Sequence, residues 1–256
     1  MPRSRLLVRS MAEFRQHWRE LQAGDAVLGP LALRPGEEVK LLDLTERGVR
    51  FFPPALAQLL AYSKVAQTEV LGEFMAPGAF VVYGMADLAA RLPEYQSRGW
   101  SRVVTKRDKA HLGLGVSVWP SLEDLYSLGG LHPLPFPLVV QPFLAGAKDF
   151  RVVLVGDYAE AYERVNPHGF RKNLFQGGSS RPAALTPVLE DFSRRVMARG
   201  KFPYAILDLL VSPRGEPFLG EINLKGGLRG ARLTQAAFRE RVAALEEDFR
   251  HRWASS

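Results

Sequence analysis

Two apolar segments near the C-terminal end, "YAILDLLV" (204–211) and "EPFLGEIN" (216–223), constrain the fold of this chain more than any other feature. The short link Ser212 to Gly215 makes them a hairpin, yet each run carries a carboxylate, Asp208 or Glu221. A charge inside an apolar strand is costly unless it faces solvent or a cation. Glu221 and Asn223 lie at i and i+2, so their side chains share one face of a strand while Ile222 points to the other. The hairpin lets Asp208, Glu221 and Asn223 converge. Three oxygen donors without histidine or sulfur favour a hard ion, Mg²⁺ or Mn²⁺, completed by phosphate oxygens. On spacing alone, pairing of each carboxylate with an arginine is an equal alternative. The glycines that follow in "GEINLKGGLRGA" suit a turn or a close backbone approach.

A chain of 256 residues with 46% hydrophobic and 24% charged residues has the composition of a globular protein. Its length suggests one large domain or two closely joined lobes. With no cysteine, disulfides, thiolate metal sites and thiol nucleophiles are excluded. There is no G-x-S-x-G elbow, and the five histidines show no metal-ligand spacing. The apolar run Leu6 to Val8 is too short for a signal-peptide core, and no stretch approaches the roughly 20 apolar residues of a membrane span; the expectation is a cytoplasmic protein without membrane contact. The net charge of +7 is dispersed along the chain. A dispersed excess suits a polyanionic ligand such as a nucleoside triphosphate, or a solvated basic surface with no single target, and a nucleic acid ranks below both because no base-reading motif is present.

Ser10 is placed to cap a helix through Phe14, Trp18 and Leu21. "EVKLLDLTERGVRFFPP" reads as two short strands joined at Glu46 to Gly48, and Pro54 as the start of one helix through "ALAQLLAYSKVAQTEVLGEFM". "AFVVYG" reads as a strand and "MADLAARLPEYQSRG" as a helix interrupted or bent at Pro93. From residue 100 strands dominate: "SRVVTK" and "VSVW" flank the loop "RDKAHLGLG", "PLVVQPF" follows a proline-rich connector, and "DFRVVLVGDYAEAYERV" is a hairpin about Gly156-Asp157. A helix is expected from Pro187 to Arg199, closed by Gly200, and an amphipathic helix from Leu233. Helices in front and antiparallel strands behind predict an α+β fold, not a doubly wound sheet.

Further residues carry chemistry. Lys106 ends a strand beside a glycine-containing loop, where glycines admit backbone N–H groups and the ammonium adds charge for a phosphate; a plain hairpin loop is the alternative. Lys64 sits in the middle of the expected helix, a position that alone reads as surface. Arg164, Arg171, Lys172 and Asn173 lie beside a Gly-Gly-Ser-Ser segment, a composition suited to phosphate or an oxyanion. Asp149 and Arg151 share a face at the start of their strand and could be a salt-bridged pair.

Taken in order, Lys64, "VVTKRDKAHLGLGV", "VVQPF", "KDFR", "FRKNLFQGG", "LDLL" and "GEIN" resemble the ATP-grasp superfamily, in its branch of RimK-like glutamate ligases and glutathione synthases. The resemblance runs from Lys64 to Ala231. It implies an ATP-grasp fold of two α+β lobes, about 63–137 and 138–256, behind a shortened N-terminal region at 1–62. By the same resemblance, Lys64 and Lys106 contact ATP phosphates under a loop containing Gly113 and Gly115. Gln141, Phe143 and Leu144 line the adenine pocket, and Asp149 lies near the ribose. Arg151, Arg164 and Arg171, with Asn173, neutralise phosphate or acyl-phosphate charge, and Asp208, Glu221 and Asn223 hold Mg²⁺.

The implied activity is an ATP-dependent, ADP-forming ligation of a carboxylate to an amine of an amino acid, peptide or protein tail, through an acyl phosphate. The alternative is an ATP-binding regulatory or scaffold protein with little catalysis. The chain departs from the branch around "KAHLG", at Pro142, and after Asn223, where Leu224, Lys225 and two glycines replace a small residue and proline. Lys225 and Arg229 could then bind an acidic acceptor or mark changed chemistry. Homo-oligomerisation is left open.

Overall fold

The structure, a computed structural model, describes residues 3–110, 115–166 and 177–255. Its first unit alternates strands and helices: β1 (Leu7–Val8), α1 (Met11–His17), β2 (Ala26–Leu28), α2 (Glu38–Glu46) and β3 (Arg50–Phe52). The strands are parallel in the order β1-β2-β3, which requires the crossovers that α1 and α2 supply. Ser10 caps α1 as expected, accepting from the Glu13 backbone N–H at 3.2 Å. The region expected as two strands is instead the helix α2 followed by β3. Leu41 and Leu44, three residues apart, are both fully buried, which a helix achieves and an alternating strand does not. They pack with Phe14, Leu21 and Val27 in a core of their own.

The single helix expected after Pro54 is two, α3 (Ala55–Tyr62) and α4 (Lys64–Leu71). They are divided at Ser63, whose backbone is extended and whose Oγ accepts from the Ala66 N–H at 3.0 Å. An N-cap serine ends one helix as it starts the next. Lys64 therefore stands at a helix start, not mid-helix.

A four-stranded antiparallel sheet follows, built from β4 (Phe80–Val82), β5 (Val103–Arg107), β6 (Val116–Trp119) and β7 (Leu138–Pro142) in the order β4-β7-β5-β6. The helices α5 (Met85–Ser97), which continues through Pro93, and α6 (Leu122–Leu131) cover it around Leu88, Tyr95, Leu125 and Val140. Sequence reading assigns no element to α6, although Ser121 caps it with a 3.0 Å bond from the Asp124 N–H. β7 pairs wholly within this sheet, so the chain passes to the next sheet after Pro142, a few residues beyond the expected lobe boundary.

The second sheet contains β8 (Lys148–Val155), β9 (Tyr158–Val165), β10 (Ser179–Ala183), then, after α7 (Pro187–Gly200), β11 (Tyr204–Val211) and β12 (Pro217–Asn223). All pairs are antiparallel, in the order β10-β9-β8-β11-β12. β10, an edge strand, has no counterpart in the sequence reading. α7 closes one residue later than expected, on Lys201 in the left-handed region (φ 55°). Gly200 answers packing: a Cβ there would lie 2.7 Å from the Phe202 ring. The last helix, α8 (Gln235–Ala254), runs back to the first unit, where the Trp253 indole N–H donates to the Gly24 carbonyl at 2.7 Å. Among the described residues no helix is long and apolar enough to cross a membrane.

Candidate active site

Register brings the site together. On the five-stranded sheet Asp208 lies directly opposite Arg151 on one side and Glu221 on the other. Arg151 lies opposite Tyr162, and Asp149 opposite Arg164. Directly opposed residues share a face, so the polar row Glu221, Asp208, Arg151 and Tyr162 crosses four strands of the sheet. A register shift after Asp208 puts Gly220 where a Cβ would meet the Asp208 carbonyl oxygen at 3.0 Å. Glycine is what lets β12 approach β11 beside the two carboxylates.

Asp208 is paired with arginine in this row. Arg151 grips Asp208 with a two-pronged contact, Nε to Oδ1 at 2.7 Å and Nη2 to Oδ2 at 2.9 Å. Arg164 reaches the same Oδ2 at 3.0 Å and Asp149 at 2.7 Å. Burial alone would raise the Asp208 carboxyl, but Arg151 and Arg164 outweigh it and hold the group well below the usual carboxylate range. Burial pushes Asp149 the other way, up, against the pull of Arg164.

Two lysines from separate elements meet at β12. Lys64, at the start of α4, places Nζ 3.1 Å from Glu221 Oε1 and donates to the Ala110 carbonyl at 2.7 Å. Lys106, in β5 of the other sheet, donates to the Gly220 carbonyl at 3.0 Å. Burial pushes the Lys106 ammonium down to about 8, with Glu221 opposing and the Lys64 charge reinforcing the shift. The result is a cluster of four cations and three carboxylates in which Lys64, Arg151 and Arg164 are each ion-paired and Lys106 rests on a backbone carbonyl, contacts that phosphate oxygens could replace.

Among the described residues no group of three or more histidines or carboxylates stands ready to hold a metal ion. The donor chemistry nevertheless suits a hard cation. Asp208 and Glu221 are cross-strand neighbours, and Asn223 shares their face two residues along. The side chains that neutralise the carboxylates are themselves suited to phosphate.

The other expected site residues separate into four sets. Gln141, Phe143 and Leu144 lie where β7 leaves its sheet towards β8. There Phe143 N–H donates to the Arg102 carbonyl at 2.9 Å, and the Arg102 guanidinium stacks 4.2 Å from the Phe143 ring. Gln141 is buried, and its Oε1 has no hydrogen-bond partner among the described residues. Gly115 accepts from Arg107 N–H at 2.8 Å at the base of the β5–β6 loop, and a Cβ on it would collide with Ala110. Gly113, Arg171 and Asn173 lie outside the described residues. Lys225 and Arg229 are exposed on the segment after β12, which is tied down by Arg151 donating to the Gly227 carbonyl at 3.0 Å.

Asp108 belongs to the site without having been singled out. Its Oδ1 accepts from Ser63 Oγ at 2.8 Å and Val65 N–H at 3.1 Å, tying the β5–β6 loop to the start of α4. An acidic residue two positions after Lys106 was the available signal.

Against known proteins, residues 73–242 match the model of the RimK-like ATP-grasp domain. Among curated proteins the chain is similar to a ribosomal protein bS6–L-glutamate ligase of Salmonella paratyphi B. The two are 30% identical over 141 residues, 53% of this chain and 47% of the relative. The chain thus spans about half the length of the curated relatives it matches. Its fold is similar to that of the D-alanine–D-alanine ligase from Coxiella burnetii: TM-score 0.60, 14% identity, 90% of this chain and 71% of that one. It is also similar to the macrocyclase MdnC from Microcystis aeruginosa, solved with a precursor peptide: TM-score 0.54, 19% identity, 90% of this chain and 78% of that one.

Proposed function

This chain belongs to the RimK-like ATP-grasp family, and from that premise we propose that it is an ATP- and magnesium-dependent carboxylate–amine ligase. What supports the reading most is the convergence of Lys64 and Lys106, from two different parts of the fold, on Gly220 and Glu221 of β12. A pair of ammonium groups over a pair of carboxylates is the arrangement a metal–triphosphate needs: cations for its oxygens, carboxylates for its metal.

In the proposed reaction a carboxylate oxygen of the acid attacks the γ-phosphorus of ATP, and ADP departs. The acyl phosphate then meets the amine, whose nitrogen bonds to the carbonyl carbon as phosphate leaves and a proton passes to solvent. Lys64 and Lys106 hold the phosphate oxygens, and Arg151 and Arg164 balance charge on the transferred group. Asp208, Glu221 and Asn223 would hold magnesium, which when bound screens the triphosphate. Gln141 to Leu144 flank the base, Asp149 the ribose. Positioning and charge neutralisation carry the chemistry, with no nucleophile from the protein. The acid and amine are those of amino acids or peptides, the class suggested by the names of the similar ligases.

An ATP-binding scaffold with little turnover is the competing reading, favoured by one observation: both oxygens of Asp208 are already engaged by guanidinium groups. Release of ADP and phosphate, screened across amino acids and peptides in pairs, separates the two. The ligase reading expects release only when both a carboxylate and an amine are supplied. Tight binding of ATP with no release under any pairing would overturn it.

A further inference from the structure

We propose that Gln67 is a positioning residue whose side-chain amide fixes Lys64 against Glu221. β12 is an edge strand of its sheet, with β11 on one side only. Ile222 is fully buried, so the backbone N–H and C=O it directs away from β11 need partners. No strand supplies them; Gln67 does. Ile222 N–H donates to Gln67 Oε1 at 3.1 Å, and Gln67 Nε2 donates to the Ile222 carbonyl at 3.0 Å. One primary amide thus takes the place of a neighbouring strand. The second Nε2 hydrogen goes to the Leu60 carbonyl of α3 at 2.8 Å. Two carbonyls and one N–H around the amide allow a single orientation of its oxygen and nitrogen.

Place in the chain gives this clamp its consequence. Gln67 is 1% exposed and sits one helical turn after Lys64, on the same side of α4. Ile222 lies between Glu221 and Asn223. The clamp therefore sets how far along β12 the helix start can slide, and the 3.1 Å contact between Lys64 and Glu221 depends on that setting. Glutamate could accept from Ile222 but could not donate to two carbonyls while ionised. Methionine fills the volume and makes none of the three bonds.

The role rests on the ligase reading, because it matters only if Lys64 contacts the nucleotide. The test is a double-mutant cycle. Affinity for magnesium-ADP is measured by calorimetry for Gln67→Met in the unmutated protein and in Lys64→Ala, with hydrogen exchange at the Ile222 amide followed without nucleotide. The expected result is affinity about tenfold weaker in the first background, the size of one charge-assisted contact. No further loss is expected in the second, and Ile222 exchange should be faster in both. A merely structural role gives equal losses in the two backgrounds, which would overturn the proposal; so would no loss in either. If Gln67→Met does not fold, Gln67→Glu, which keeps the acceptor for Ile222 N–H but cannot donate to the two carbonyls while ionised, is carried through the same cycle and judged by the affinity criteria alone. Failure of the unmutated protein to bind magnesium-ADP is a different result: it removes the proposed function and this role with it.

Discussion

At Lys106 two demands meet. For the proposed phosphate contact the ammonium has to stay charged, yet burial lowers its pKa to about 8. Because the folded value lies below the unfolded one, the protein without ligand releases this proton as pH rises through about 8, while a bound polyanion would draw it back. Affinity for magnesium-ADP should therefore weaken from pH 7 to pH 9, and binding near pH 8 should take up a proton. Calorimetry in buffers of different ionisation enthalpy measures both, and an affinity independent of pH would argue that Lys106 makes no phosphate contact. Glu221 is the complementary case. Its partner in the structure is Lys64, and its proposed partner in the working enzyme is magnesium. Glu221→Gln keeps the shape and one oxygen but removes the charge. It should lower ligand-dependent phosphate release by about 100-fold, the scale seen on losing one electrostatic stabiliser, with a melting temperature close to that of the unmutated protein. Undiminished release would mean that the carboxylate is not a metal ligand.

Among the elements, the break between α3 and α4 matters most, because it turns Lys64 into a helix-terminal residue facing β12. Ser63 both caps α4 and donates to Asp108 at 2.8 Å. Ser63→Ala removes both bonds. Loss of an N-cap alone costs about 1 kcal/mol, and with the Asp108 contact gone the total should reach about 2 kcal/mol. Urea unfolding of the two proteins measures it; an unchanged midpoint would show that the break does not depend on this side chain. The break is also where sequence reading goes astray. A continuous run of helix-favouring residues surrounds Ser63, and the partner that fixes its orientation is 45 positions away. α2 misleads for a related reason. "EVKLLDLTE" has apolar residues on both faces, Val39 and Leu42 exposed and Leu41 and Leu44 buried, so only the burial identifies the inward face. β10 is unreadable because an edge strand carrying Ser179, Ser180 and Pro182 has no buried alternation to announce it.

Across the whole molecule, the legible parts of the site are those that local periodicity places. The i, i+2 relation of Glu221 and Asn223 and the short turn back to β11 suffice to put Asp208 beside Glu221, as the register has it. What periodicity could not supply is the set of contacts between separately folded parts: Lys106 of one sheet on Gly220 of the other, and Gln67 on Ile222, 155 positions apart. It also left open whether the carboxylates face arginine or metal; in the structure Asp208 contacts two arginines and Glu221 a lysine. A metal–nucleotide would have to enter by exchanging these internal pairs for phosphate and magnesium, with little rearrangement of β11 and β12. Diffraction from crystals soaked with Mn²⁺ and a non-hydrolysable ATP analogue, collected at the manganese edge, reads that exchange directly. The account predicts an anomalous peak within coordination distance of Glu221 and Asp208, with the triphosphate against Lys64 and Lys106. A bound nucleotide with no peak there, and Lys106 still on the Gly220 carbonyl, would contradict it.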